Sequence, residues 1–102
     1  MITRAKRRVA WSSLAELEIA EAAVWYDERQ VELGDRFLRA VEAAADAAAR
    51  SPELYARVHR DLRRVLVPRF PYGLIVRESP DELFVVACYH LHRDPQVWRS
   101  RG

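Results

Sequence analysis

The hydrophobic positions of this chain change period twice. Near the start, Val9 and Trp11 alternate with Arg8 and Ala10, the two-residue period of a short strand over residues 7–11. From Leu14 to Gln30 the period becomes helical. Ala15, Ile19, Ala22, Ala23 and Tyr26 recur at three- and four-residue spacing, while Glu16, Glu21, Asp27 and Glu28 fall elsewhere on the wheel. Ser13-Leu14-Ala15-Glu16 fits a capping box that starts this helix, because a serine hydroxyl can accept the amide of the third helical residue. The stripe is narrow and rich in alanine, so another backbone can pack closely against it. Leu33-Gly34 stops the helix, with glycine supplying a left-handed conformation, and Asp35 caps the next one. A second helix over residues 36–50 carries Phe37, Leu38, Val41, Ala44, Ala45 and Ala48 on one side. It ends at Ser51-Pro52, since the residue before proline is pushed out of the α region. The short link predicts an antiparallel helical hairpin.

After an irregular segment over residues 52–60 the period returns to two. Leu62, Arg64 and Leu66 alternate with Arg63, Val65 and Val67 in one strand, and Pro68 and Pro71 bracket its end. Residues 72–77 form a second strand. Ser79-Pro80-Asp81 marks a turn, and Leu83 to Leu91 form a third strand whose unbroken apolar run predicts burial on both faces and a central place in the sheet. Short links between these runs make a β-meander, which must bury its apolar face against the hairpin. The predicted fold class is therefore α+β: a single domain over residues 1–102, of order β-α-α-β-β-β, with a mainly antiparallel sheet packed on an α-helical hairpin.

Composition narrows the function classes. With 102 residues, half of them apolar, the chain can bury one modest core. The 17 Lys+Arg against 15 Asp+Glu leave a net charge of only +2, so global electrostatics alone does not make an avid nucleic-acid binder. Lys6 is the only lysine. Arginine suits planar, bidentate contacts to carboxylate or phosphate, although a GC-rich coding bias gives the same preference without function. No apolar run is long enough to span a bilayer, and the N-terminal basic residues are followed by Glu16, Glu18 and Glu21 rather than by an apolar leader segment. The expected location is cytoplasmic. Cys88 stands alone among Val85, Val86 and Ala87, which predicts a small buried hydrophobe and excludes an intrachain disulfide. His90 and His92 have no obvious third ligand, so neither a metal site nor a cofactor is expected.

One set of motifs spans nearly the whole chain: Trp25-Tyr26, Leu33-Gly34-Asp35-Arg36-Phe37-Leu38, Ser51-Pro52-Glu53-Leu54-Tyr55, Arg63-Arg64, Phe70-Pro71-Tyr72 and His90-x-His92-Arg93-Asp94-Pro95-x-x-Trp98. In this order they resemble the RelE/ParE superfamily of small bacterial toxins, its ParE-like, plasmid-stabilisation branch. The resemblance implies the toxin of a type II toxin–antitoxin system, held in a hetero-oligomer by a cognate antitoxin. For the ParE-like branch it further implies inhibition of DNA gyrase by binding, with no chemistry of the toxin's own. The RelE-like branch cuts messenger RNA on the ribosome, and the residues available for that are Arg64, Arg69, His90 and His92. The chain departs from that branch, having no tyrosine after Tyr89 and no lysine beyond Lys6. A third reading is a non-toxic, antitoxin-binding relative.

For contacts to target or antitoxin the candidates are Trp25, Arg63, Arg64, Arg69, Arg93 and Trp98. Each also has a plainer role. Trp25 and Tyr26 read as core aromatics between helix and sheet, and Phe70-Pro71-Tyr72 as a turn filling the core edge. Arg93 can pair with Asp94 or another carboxylate. Asp94-Pro95 can start a terminal helix that folds Trp98 back onto the body.

Overall fold

The computed structural model describes residues 6–92, 96–99 and 101. In chain order the elements are β1 (Arg8–Trp11), α1 (Ser13–Arg29), α2 (Leu33–Arg50), a 3-10 turn (Pro52–Leu54), β2 (Arg57–His59), β3 (Leu62–Val67), β4 (Tyr72–Glu78), β5 (Glu82–His90) and α3 (Gln96–Arg99). The strands form one sheet in the order β1-β5-β4-β3-β2. All neighbours are antiparallel except β1, which runs parallel to β5 with Val9 opposite Leu83 and Trp11 opposite Val85. The α+β class and the β-α-α-β-β-β plan hold, with one short strand, β2, added ahead of the meander. β5 is interior, as its apolar run predicts, although β4 takes the middle position.

Two details of the hairpin differ from the sequence expectation. The cap of α1 is Ser12, not Ser13: its hydroxyl accepts the Ala15 amide at 3.0 Å and donates to the Val86 carbonyl at 2.9 Å. A cap that also bonds the sheet fixes where the helix leaves it. Gly34 does not end α1, and Asp35 does not cap α2. The first helix closes at Arg29, and the left-handed residue between the helices is Glu32, with φ 70°. Gly34 lies inside the first turn of α2, buried against α1, and its amide donates to Asp27 Oδ1 at 2.7 Å. An added Cβ there would sit 2.5 Å from the Ala23 carbonyl oxygen and 2.7 Å from the Asp27 carboxylate. The glycine is needed for close approach of two helices.

The sheet has two unequal faces. Toward the helices, Val65, Val67, Leu74, Val76, Leu83, Val85 and Cys88 meet the stripes Ala15-Ile19-Ala22-Ala23 and Phe37-Val41-Ala44-Ala45-Ala48. On the other face a smaller cluster of Leu62, Ile75, Val86, Ala87 and Tyr89 is covered by Trp98. Trp98 is 3% exposed, and its Nε1 has no hydrogen-bond partner among the described residues. The tail is tied down beyond it, where Arg101 donates through Nη1 and Nη2 to the two oxygens of Glu18 at 2.9 and 3.0 Å. The expected Asp94 cap falls on residues 93–95, outside the described residues.

A bulge decides which residues share a face. Val76 pairs with Val85 while Ile75 pairs with Ala87, so Val86 is an extra residue in β5. Leu83 and Val85 face the helices before it, and Cys88 faces them after it. Strict alternation from Leu83 would have turned Cys88 and His90 the other way.

Burial pushes the Cys88 thiol up from its ordinary 9.0 to about 12, and the nearby Glu18 carboxylate adds to the rise. The folded protein then keeps a proton that the unfolded chain releases above pH 9. Stability from this group is complete below about pH 9 and falls as pH rises toward 12. Urea titrations between about pH 8 and 10.5 are expected to show a declining alkaline limb that Cys88→Ala flattens, and a variant with an unchanged decline would contradict this assignment. Such a thiol is also a poor nucleophile.

Candidate functional site

The chemistry-bearing residues collect where α1, the β3–β4 turn and the C-terminal end of β5 meet. A run of rings links them. Trp25 stands edge-on to Tyr26 at 5.1 Å, Tyr26 to Phe70 at 5.0 Å, Phe70 to Phe37 at 5.2 Å, Phe37 to Tyr72 at 5.1 Å, and Tyr72 to His90 at 5.2 Å. Edge-to-face pairs at these separations are favourable beyond their buried area and hold the turn rigidly against the helices. Phe70-Pro71-Tyr72 thus fills the core edge, as its sequence suggests. Burial, and then the neighbouring Tyr72, push the Tyr26 phenol above its ordinary value, so it is a proton-bearing group at neutral pH.

Two hollows flank Tyr26 and Pro71. The first, of about 690 Å³, is lined by Glu18, Glu21, Trp25, Tyr72, His90 and His92 among others. The His90 and His92 rings lie 5.2 Å apart, and the His92 amide donates to His90 Nδ1 at 3.2 Å. That bond makes Nδ1 the acceptor, so neutral His90 carries its proton on Nε2 and has no free acceptor nitrogen for a base. The second hollow, of about 720 Å³, lies between α2 and the β3–β4 turn and includes Arg36, Arg39, Arg69 and Phe70. A third, apolar groove of about 460 Å³ runs between α1 and α2 over Trp11, Ile19, Ala23, Leu38 and Val41.

The sequence candidates are scattered over these features. Trp25 is not a core aromatic: it is 48% exposed, with the Arg29 guanidinium 3.4 Å from its ring centre. Arg63 is committed internally, its Nε donating to Glu78 at 2.9 Å and its Nη1 to the Tyr55 carbonyl at 2.6 Å. Arg64 is exposed and pairs in register with Ile75, on the sheet face away from the helices. Arg69 borders the second hollow, while His90 and His92 line the first. Trp98 is buried over the smaller cluster. Arg93 lies outside the described residues. The structure therefore brings His90 and His92 together but separates them from Arg64 by the thickness of the sheet. Sequence reasoning missed Glu18, Tyr72, Arg36 and Arg39 as neighbours of these sites; only the spacing of Arg36 and Arg39 on one helix face hinted at the last two. Among the described residues no group of three His, Cys, Asp or Glu side chains is arranged to hold a metal ion, and no helix is long and apolar enough to cross a membrane.

This arrangement of hairpin, meander and parallel β1 is a fold shared with chains of two solved toxin–antitoxin assemblies. A chain of the chromosomal ParDE TA system from P. aeruginosa superposes with a TM-score of 0.74 at 11% identity, covering 85% of this chain and 98% of that one. A chain of the toxin-antitoxin complex RelBE2 from Mycobacterium tuberculosis superposes with a TM-score of 0.62 at 17% identity, covering 83% and 91%. No protein-family model matches the sequence, and no curated protein matches it significantly.

Proposed function

We propose that the protein is the toxin of a toxin–antitoxin pair and that it acts by occupying DNA gyrase, with no bond made or broken by its own side chains. The toxin part of this reading is supported by the shared fold with chains of two toxin–antitoxin assemblies. What favours binding over RNA cleavage is the placement of the residues available for cleavage. A ribonuclease needs a base for the 2′-hydroxyl and a cation for the phosphate within reach of one scissile bond. Here Arg64 and the histidine pair stand on opposite faces of the sheet, Arg69 borders the second hollow while the histidines line the first, and His90 Nδ1 already accepts the His92 amide.

The antitoxin contact is assigned to α1. Its outward side carries Leu14, Leu17, Val24 and Trp25, all about half exposed or more. A helix that is apolar on both sides, unlike the two-sided α2, has a second surface to cover. The apolar groove between the helices continues this surface.

The purified protein is expected to inhibit supercoiling by gyrase at a stoichiometric ratio and to leave messenger RNA on translating ribosomes intact. Codon-specific cuts with unaffected gyrase would replace this reading by the ribonuclease one. Normal growth on induced expression of soluble protein without antitoxin would instead point to a non-toxic relative.

A further inference from the structure

The hollow between α2 and the β3–β4 turn combines two features. Its rim carries three arginines: Arg36 and Arg39, one helical turn apart on α2, and Arg69 across from them on the turn. Among the described residues no acidic side chain lines it. The guanidinium groups of these three, like those of the exposed Arg50, Arg57, Arg60 and Arg64, make no ion pair or hydrogen bond with any described residue, whereas Arg7, Arg8, Arg29, Arg63, Arg77 and Arg101 are each paired to a carboxylate. The floor between them is apolar, formed by Leu33, Ala40, Phe70 and Pro71.

Arg69 is held in place by its backbone. It adopts φ 72°, a left-handed conformation that asparagine or glycine takes more readily. The turn is closed on both sides of it, with the Phe70 amide donating to the Val67 carbonyl at 3.3 Å and the Tyr72 amide to the Phe70 carbonyl at 2.8 Å. The rings of Tyr26 and Phe37 pack against Phe70. The third arginine is thus presented from a backbone already fixed, so that only its side chain remains to be ordered by a ligand that pairs with it.

We infer that this hollow is a docking site for an acidic peptide segment of a partner protein, with carboxylates on Arg36, Arg39 and Arg69 and one apolar side chain seated between them. The floor chooses between acidic ligands. A nucleic-acid backbone would use the arginines but leave the apolar floor uncovered, and Phe70 is engaged edge-on by Tyr26 and Phe37 rather than offered as a stacking face for a base. The net charge of +2 adds little of the long-range field that non-specific nucleic-acid binding relies on. Arginine forks around an apolar centre suit a segment that alternates Glu or Asp with one Leu or Phe anchor. The site does not depend on the toxin assignment, because it requires only the fold and these side chains.

The test is fluorescence anisotropy of the intact protein with a labelled dodecapeptide in which glutamates flank a central phenylalanine. Saturable binding is expected, weakened at least about tenfold in the R36Q/R39Q/R69N variant and less than about twofold in R50Q/R57Q/R60N, which removes the same charge from exposed positions elsewhere. Replacing the peptide's phenylalanine by serine should weaken binding comparably. Asn suits the left-handed backbone at position 69, and thermal unfolding confirms that the variant is folded; R36Q and R39Q singly serve if it is not. Absence of saturable binding, equal losses in both triple variants, or indifference to the phenylalanine would overturn the assignment. Tighter binding of a twelve-nucleotide oligothymidylate through the same three arginines would give the hollow to nucleic acid instead.

Discussion

Gly34→Ala is expected to destabilise the protein by about 2–4 kcal/mol, although alanine is the better helix former by about 1 kcal/mol. Gly34 has no positive φ and sits in the first turn of α2, so propensity alone predicts a gain. The neighbours reverse the sign. The new methyl would lie 2.5 Å from the Ala23 carbonyl oxygen, a backbone atom of α1 that moves only if the helix does. Separating the helices would also stretch the 2.7 Å bond from the Gly34 amide to Asp27. Urea unfolding monitored by tryptophan fluorescence measures the change, with Ala47→Gly on the exposed side of α2 as the propensity control, expected to cost about 1 kcal/mol. A stabilised Gly34→Ala protein would mean that the hairpin is not as closely packed as described.

Phe37→Ala is expected to cost about 3–5 kcal/mol, the range for deleting a fully buried aromatic side chain. Phe37 is 0% exposed and contacts the rings of Tyr26, Phe70 and Tyr72 at 5.1–5.3 Å. These rings cannot collapse into the space without moving the β3–β4 turn, so the loss should lie at the upper end. A domain of this size has about 5–15 kcal/mol in total, and the variant would be close to unfolded at 37 °C. Denaturant midpoints give the size of the effect, and proton spectra should show loss of the shifted ring resonances of Tyr72. A loss below about 1 kcal/mol would show that the site refills.

The helices were legible because each buries one stripe: Ala15, Ile19, Ala22 and Ala23 on one, Phe37, Val41, Ala44, Ala45 and Ala48 on the other. The meander was legible from its change of period and its turn residues. β2 was not, because a strand over Arg57, Val58 and His59 holds one apolar residue and cannot display a period. Gly34 was misread for a physical reason: along the chain, a glycine after a helical run looks like a cap, and the contact that requires it comes from eleven residues earlier on α1. The face of His90 was hidden by the extra residue at Val86, since a strand apolar on both sides gives no sign of where its alternation slips. Arg36 and Arg39 carry no periodic signal of their own, and only the folded β3–β4 turn brings Arg69 to the same hollow.

The shortness of β1 has a consequence for the free molecule. It covers β5 only from Glu82 to Val85, and among the described residues no strand lies beside the rest of that edge. An open edge invites another chain to pair with it. Here two of the groups that a newcomer would seek are engaged: the Cys88 amide donates to Glu18 Oε1 at 3.1 Å, and the Val86 carbonyl accepts the Ser12 hydroxyl. The Arg101–Glu18 pair crosses in front of them. The stretch of β5 that β1 leaves uncovered is therefore screened by a carboxylate from α1 and an arginine from the tail, and less open to pairing with another chain than the shortness of β1 alone implies.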